Sequence, residues 1–329
     1  MNFETDFKKE LIQKFKNKNL SDSSINMYVR NLEKLNDDTP LKNLNFLKKK
    51  DDIMSKLEKY KENTKRSYLI SICSALSLDK DSKSKKNLYD YYFDLMVNKN
   101  KELKELEHQN IKSETQSKNW VEWNEVGGKL NTLKEKVDKF KNSKEINEHN
   151  YNTLLEYMIL SLYYYKQPRR NMDYQKMKVV KYNNSNLPIS SNYLVYNSKL
   201  FIFNIFKTSK KEGQQVEDIP EDLFNIIKLY FKFHPYFKEH PIKSIKKETP
   251  IDAYFLVYYN GNPLEQVNSI TRIINKIFEN KSVGSSILRH SFLSNKHQDT
   301  IEELKEDAKA MGHSVSQALD YVKVPNKKK

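Results

Sequence analysis

Cysteine and long apolar runs are nearly absent from this chain of 329 residues. Because Cys73 is the only cysteine, the chain cannot form an intramolecular disulfide or a cysteine-rich zinc site. No apolar run approaches the roughly 18 residues typical of a membrane-spanning helix, so we expect no membrane span. The first residues, Met1–Asp6, lack the features of a signal peptide, and we expect a protein of a reducing intracellular compartment.

Two kinds of site are also missing from the sequence. There is no Gly-rich loop of the kind that cradles nucleotide phosphates, and no acidic cluster with the spacing of a metal site. Apolar residues make up only 37% of the chain, but aromatic residues reach 12% and supply much of the core-forming surface. We therefore expect a folded protein that needs neither a cofactor nor a metal.

The charge of the chain is strongly unbalanced. The formal net charge is +15 and the isoelectric point is about 9.3. A protein this basic often binds a polyanion, and nucleic acid is the usual one. The same excess is also typical of lysine-rich helix faces in water, so charge alone leaves both interpretations open.

Residues 1–98 have the pattern of a small helical domain. Apolar residues recur every four positions from Phe3 to Phe15, which predicts a first amphipathic helix. Ser21–Ser24 offer N-caps for a second helix, and three further apolar sets follow. We predict a helical DNA-binding domain here, and the alternative is a plain bundle with surface lysines.

The remaining chain changes from helical to strand-like spacing and back. Residues 99–119 are almost wholly polar, which predicts a helix end followed by a linker. The second predicted domain, 120–329, opens with helices and then carries two clear strands, Tyr193–Tyr196 and Leu200–Phe206. The sequence therefore predicts a mainly α-helical chain of two domains, the second an α+β domain with a small antiparallel β-sheet.

Arginine is much scarcer than lysine in this chain, so its positions are informative. Arg169 and Arg170 directly follow an apolar helix that ends near Tyr165, and a planar guanidinium there can meet two phosphate oxygens. We expect Asp173, one helical turn further on, to brace Arg170 by an ion pair. Arg289 lies on a helix with apolar neighbours that anchor it. The alternative for the first two is a pair of surface arginines.

Two further candidates come from a strand end and a helix start. Lys207 follows a predicted strand, where its ammonium group could donate a proton to a leaving 5′-oxygen. Gly312 and His313 predict a turn into a helix, where the imidazole could donate to a phosphate oxygen. The alternatives are an ordinary surface lysine and a histidine with a packing role.

Tyr321 follows His313 by eight residues and is the candidate nucleophile. A phenol with a pKa of about 10 is a poor nucleophile, so arginines and a histidine on the phosphate would assist its attack. Tyrosine is abundant, with 21 in the chain, so the assignment depends on its order and spacing after Arg289 and His313. A phosphotyrosine would keep the bond energy of the DNA backbone, and strand exchange would need neither ATP nor a metal.

Taken together, these residues resemble the tyrosine recombinase, or phage integrase, family. Arg170–Asp173 resembles the family's Arg-x-x-Glu, and Lys207-Thr208 resembles its hairpin Lys-Thr. Leu288–Phe292 is similar to Leu-Arg-His-Thr-Phe, and Met311–Ser314 is similar to Leu-Gly-His-Ser. The bias toward Asn, Lys and Tyr resembles that of recombinases of large eukaryotic DNA viruses and their virophages.

The resemblance carries several implications. It implies a two-domain clamp on double-stranded DNA, with a helical core-binding domain and a catalytic domain. It implies Arg170, Lys207, Arg289, His313 and Tyr321 as the catalytic residues. It also implies DNA recombination or integration through a 3′-phosphotyrosine, performed by a homotetramer that assembles on two DNA sites from free monomers.

Two positions depart from the family pattern. Ser286 stands three residues before Arg289, where the family prefers His or Lys for proton transfer. The interval from His313 to Tyr321 is one residue shorter than the commonest family spacing. Two alternatives remain: a type IB topoisomerase, which uses a similar set of residues, and a DNA-binding relative that has lost catalysis, which Ser286 favours.

Overall fold

The computed structural model describes residues 5–78, 83–108, 111–182, 187–246, 251–312 and 315. The chain divides into two compact units, Met1–Lys112 and Ser113–Lys329. The described residues are mainly helical, and a four-stranded sheet lies in the second unit. The prediction of a mainly helical chain with one small sheet is confirmed.

The described part of the first unit contains α-helices and one short 3-10 helix, Asn45–Lys48. The first two helices begin at side-chain caps: Thr5 Oγ1 accepts from the main-chain nitrogen of Lys8, and Ser21 Oγ accepts from that of Ser24. The α-helices are, in chain order, α1 (Asp6–Asn17), α2 (Asp22–Leu35), α3 (Lys50–Glu58), α4 (Glu62–Leu76) and α5 (Lys83–His108).

One core joins the apolar faces of these helices. Phe15, Leu32 and Ile72 are fully buried in it, as their helical spacing predicts. Tyr92 of α5 is also fully buried, and its hydroxyl donates to the main-chain oxygen of Leu47 at 2.7 Å. A tyrosine can replace an aliphatic core residue here because its one polar group has a partner.

The second unit is arranged around one buried helix. After α6 (Glu114–Asn119) and α7 (Trp123–Asp138) comes α8 (Glu148–Tyr164), which is buried on nearly all sides. Much of the predicted linker, 99–119, is helical, because it contains the end of α5 and all of α6. The further helices among the described residues are α9 (Asn171–Gln175), α10 (Ser209–Glu212), α11 (Glu221–Phe233), α12 (Pro235–Glu239), α13 (Ser269–Phe278) and α14 (Ser285–Ala310).

The sheet has the strand order β1-β2-β3-β4 and mixed pairing. Its strands are β1 (Lys178–Val180), β2 (Tyr193–Val195), β3 (Leu200–Phe203) and β4 (Gln215–Asp218). β2–β3 and β3–β4 are antiparallel, but β1 runs parallel to β2, so the prediction of an antiparallel sheet is wrong for this pair. The chain between β1 and β2 returns to the starting end of β1, and this crossover leaves no trace in the residue pattern of either strand.

Aromatic contacts hold the start of α14 beside the end of α8. Trp123 of α7 stacks on Tyr164 with ring centroids 5.7 Å apart, and Phe292 of α14 meets Trp123 edge-on at 5.2 Å. Leu288 is fully buried between these elements and the core. The packing therefore brings Arg289 toward the segment that carries Arg170.

Candidate active site

The end of α8 is hydrogen-bonded to the start of α9. The hydroxyl of Tyr163 donates to Asn171 Oδ1 at 2.6 Å, and Asn171 Nδ2 donates to Thr271 Oγ1 at 2.8 Å. Burial raises the pKa of Tyr163 well above its usual value, so this hydroxyl remains a donor. Arg170 is the N-cap residue of α9 and its side chain is exposed. Its backbone is thus fixed by buried contacts while its guanidinium faces solvent.

Arg169, rather than Arg170, pairs with the acids. Its Nε lies 2.9 Å from Asp173 Oδ2, and its Nη1 lies 2.7 Å from Glu217 Oε1. The expectation that Asp173 braces Arg170 is therefore wrong. Arg169 and Arg170 both precede α9, and the extended backbone at Arg170 turns successive side chains to different sides, so that Arg169 is the one that reaches Asp173.

Arg289 lies near the start of α14 and is half-buried. Its Nη1 donates to the main-chain oxygen of Arg169 at 3.4 Å and to Ser285 Oγ at 3.3 Å. Burial lowers the pKa of Arg289, and the positive charge of Arg170 lowers it further. Arg170 and Arg289 line the same pocket, and their positive charges repel one another.

These arginines line a pocket of about 280 Å³ in the second unit. The two carboxylates in the lining, Asp173 and Glu217, are both bonded to Arg169. Over the described ranges, no carboxylate contacts Arg170 or Arg289. The pocket therefore offers two planar cations to an anion, and a phosphodiester has two non-bridging oxygens that match them.

The buried position of Asp173 disfavours the ionised form of its carboxyl group. Burial raises its pKa, although the charges of Arg169, Arg170 and Arg289 act in the opposite direction. Its Oδ1 has no hydrogen-bond partner within the described part of the chain. A buried, half-satisfied carboxylate costs stability, and the ion pair with Arg169 offsets part of that cost.

Lys207 lies in the turn that follows β3, and its side chain is exposed. The residues on either side of it, Phe206 and Thr208, line the arginine pocket. The flexible four-carbon stem of a lysine at this turn allows its ammonium group to reach a leaving oxygen at the pocket. Ser286 and His290, by contrast, are exposed positions on α14, and a serine hydroxyl cannot carry the proton that His or Lys would.

Two side chains of β4 were not identified from the sequence. Gln215 Oε1 and Glu217 Oε1 accept from Arg169 Nη1 at 2.9 and 2.7 Å. They follow Arg169 by 46 and 48 residues, so no local spacing connects them with it. The only hint is that acidic and amide side chains alternate on a short strand next to the Lys207 turn.

The helix α14 continues without a break from Ser285 to Ala310. Twenty-one residues separate Arg289 from Ala310, which corresponds to about 32 Å along the helix axis. Gly312 follows the helix end with a positive φ of 71°. His313 and Tyr321 lie outside the described residues. In this conformation the arginine pocket and Gly312 are therefore far apart along α14.

The described ranges contain no cluster of metal ligands and no helix suited to a membrane span. There, no three His, Cys, Asp or Glu side chains come together as ligands for a metal ion. None of the helices in those ranges combines the length and the apolar character required to cross a bilayer.

No protein-family model matches this chain, and no curated protein matches it either. A crystal structure of XerA recombinase is similar with a TM-score of 0.27 and 10% sequence identity, over 98% of this chain and 94% of that chain. A likeness at this level carries no argument about fold or function.

Proposed function

We propose that this chain cleaves and rejoins double-stranded DNA as a site-specific tyrosine recombinase or integrase. The observation that carries the proposal is the pair Arg170 and Arg289, two guanidinium groups in one pocket without a carboxylate partner among the described residues. Two such groups neutralise a phosphodiester and the further negative charge of its transition state. The net charge of +15 also favours a polyanionic substrate.

The proposed reaction is a transesterification. The phenol oxygen of Tyr321 attacks phosphorus and its proton passes to solvent, while Arg170, Arg289 and His313 hold the non-bridging oxygens. The bond to the 5′-oxygen breaks, and that oxygen takes a proton from Lys207 to leave as a hydroxyl. The product is a 3′-phosphotyrosine, and a 5′-hydroxyl of another strand reverses the reaction. No ATP is consumed because one phosphodiester bond replaces another.

The rest of the proposed assembly follows from the resemblance. Residues 1–98 are proposed to bind the same duplex as a helical domain, and residues 120–329 to form the catalytic side of a clamp. Four protomers, monomeric when free, would act on two intracellular DNA sites. The relation to recombinases of large eukaryotic DNA viruses and virophages remains a prediction from the sequence pattern.

A nicked suicide duplex tests the proposed chemistry. The nick lets the short 5′-hydroxyl fragment diffuse away after cleavage, so the covalent protein–DNA adduct is trapped. Wild type is expected to give an adduct that survives denaturation, and Tyr321→Phe none. Tyr259→Phe, at an exposed tyrosine of the second unit, is the matched control and should leave the yield unchanged. Absence of a wild-type adduct on duplexes that tile the DNA flanking its gene would contradict the proposal.

A second candidate function is DNA binding without cleavage. It is favoured by the unbroken α14, which separates Arg289 from the helix end by about 32 Å, and by the exposed Ser286. In that case the wild type binds duplex DNA with a steep salt dependence but forms no adduct. If the monomer instead forms an adduct and relaxes a supercoiled plasmid at no defined site, a type IB topoisomerase is indicated.

A further inference from the structure

Arg169 contacts four elements, α9, β3, β4 and α14, that carry or flank the proposed catalytic residues. Its side chain, only 14% exposed, is bonded to Asp173 of α9 and to Glu217 of β4. Its guanidinium carbon lies 3.8 Å from the ring centre of Phe203 at the end of β3. Its main-chain oxygen accepts from Arg289 of α14 at 3.4 Å. One residue therefore joins the start of α9, the hairpin that carries the Lys207 turn, and the start of α14.

The charge of Arg169 is already compensated within the protein. Asp173 and Glu217 place carboxylate oxygens 2.9 and 2.7 Å from its nitrogens. A phosphate bound to Arg169 would also lie close to these two carboxylates, and like charges disfavour that approach. Arg170, the next residue, is exposed and has no carboxylate partner over the described ranges. The two neighbouring arginines therefore have different surroundings and, we expect, different roles.

We propose that Arg169 is a positioning residue, which sets the places of Arg170, Arg289 and the Lys207 turn and binds no phosphate itself. The inference rests on the proposed function, because positioning has meaning only for a site that binds a phosphodiester. A planar guanidinium held by two acids and an aromatic ring fixes the direction of each contact, which a flexible ammonium group does not. A displacement of the arginine pair by about 1 Å would lower the rate of cleavage by on the order of 10²-fold.

The salt dependence of DNA binding separates positioning from phosphate binding. Each neutralised phosphate contributes about 0.9 to the slope of log K against log salt. On a short mixed-sequence duplex, we expect Arg170→Ala to make this slope shallower by about 0.9. Arg169→Met should leave the slope unchanged. If Arg169→Met makes the slope shallower by a similar amount, the proposal is overturned, because Arg169 itself would then neutralise a phosphate.

Single-turnover adduct formation on the suicide duplex gives the second readout. Arg169→Met is expected to slow cleavage by about 10²-fold at saturating DNA, where a change in the dissociation constant for DNA does not affect the rate. Arg169→Lys keeps the charge but not the planar fork, so it should recover only part of the rate. Arg272→Met removes an exposed arginine of α13 and is the matched control, which should change neither readout.

Glu217→Gln keeps the test decisive if the Arg169 variants fail to fold. It retains Arg169 and removes one of its two carboxylates. A positioning role predicts slower cleavage with an unchanged salt slope, whereas a phosphate-binding role predicts no loss of cleavage rate, because the variant keeps Arg169 and its phosphate contact. If no protein forms an adduct, the proposed cleavage fails but the slopes still decide the role of Arg169. If the wild type shows no salt-dependent DNA binding, both proposals fail.

Discussion

The guanidinium of Arg289 donates a hydrogen bond to the main-chain oxygen of Arg169, 3.4 Å away. This contact joins α14 to the segment between α8 and α9, although 120 residues separate the two in sequence. It also places Arg289 beside Arg170, so that two positive charges face one pocket. Burial, and then the charge of Arg170, lower the pKa of Arg289. An anion in the pocket would relieve that repulsion.

Replacing Arg289 by lysine tests whether the planar fork is required. The present side chain contacts the Arg169 carbonyl and Ser285 while it faces the pocket, and an ammonium group cannot keep that geometry. We expect Arg289→Lys to slow single-turnover cleavage by about 10² to 10³-fold. Ser285→Ala, which removes only one acceptor, should have a much smaller effect. Cleavage by Arg289→Lys at the wild-type rate would contradict the assigned role.

Lys207 is expected to act on the leaving group. Lys207→Met should therefore slow cleavage by about 10² to 10⁴-fold on normal DNA. A duplex with sulfur in place of the bridging 5′-oxygen should restore the rate, since a thiolate leaves without a proton. The same substrate should not rescue Arg170→Ala. Lys210→Met, an exposed lysine of the adjoining α10, serves as the control. An equal defect of Lys207→Met on both substrates would show that it has another role.

His234 makes the stability of the second unit depend on pH. Its Nδ1 accepts from the main-chain nitrogen of Tyr236 at 3.2 Å, and its Nε2 lies 3.1 Å from the main-chain oxygen of Tyr254. Burial lowers the pKa of His234 to about 4. The ring is therefore neutral in the folded protein at pH values where the unfolded chain already binds a proton.

The effect of pH on stability follows from the difference between the pKa of His234 in the folded protein and in the unfolded chain. Stability is fully present above a pH of about 6.5 and is lost as the pH falls toward 4, by roughly 3 kcal/mol in all. Urea unfolding at pH 7 and pH 4.5 measures the loss. His234→Asn keeps an acceptor for the Tyr236 amide, since it occupies the N-cap of α12, but has no proton to bind. The variant should lose less stability between the two pH values, and an identical loss would exclude His234 as the cause.

The length of α14 predicts a bend in this helix during cleavage. If His313 shares the phosphate held by Arg289, as proposed, the straight α14, which places Ala310 about 32 Å from Arg289 along its axis, must bend. The exposed middle of the helix contains weak helix formers, including Asn295, His297 and Thr300. Replacing these three by alanine stabilises the straight helix by about 1.5 kcal/mol in total, so we expect cleavage to slow by up to about tenfold. DNA binding should be unchanged.

A mixing experiment separates this bend from delivery by a second protomer. Arg170→Ala and Tyr321→Phe each lack one part of the proposed site. If the bend operates within one chain, their mixture forms no adduct. Suppose instead that the mixture forms an adduct and that the alanine substitutions in α14 have no effect. Tyr321 would then act on the phosphate held by another copy of the chain.

The helical part of the fold could be predicted because its signals are local. Ser21 caps α2, and the spacing of Phe15 and Leu32 marks the buried faces of α1 and α2. The parallel pairing of β1 with β2 could not be predicted, because it depends on the path of the chain between them. The sequence predicts helices toward the C-terminus, and the structure shows one unbroken helix, α14, from Ser285 to Ala310.

The sequence by itself determined which residue types are present near a phosphate site: scarce arginines after buried helices, a lysine after a strand, and a basic chain without cysteine chemistry. Only the tertiary structure decided which of two adjacent arginines is left for a ligand. Arg169 is neutralised by Asp173 and by Glu217, which lies 48 residues further along the chain. Local spacing indicates helices and strands, but the electrostatic partners of a side chain depend on distance in space.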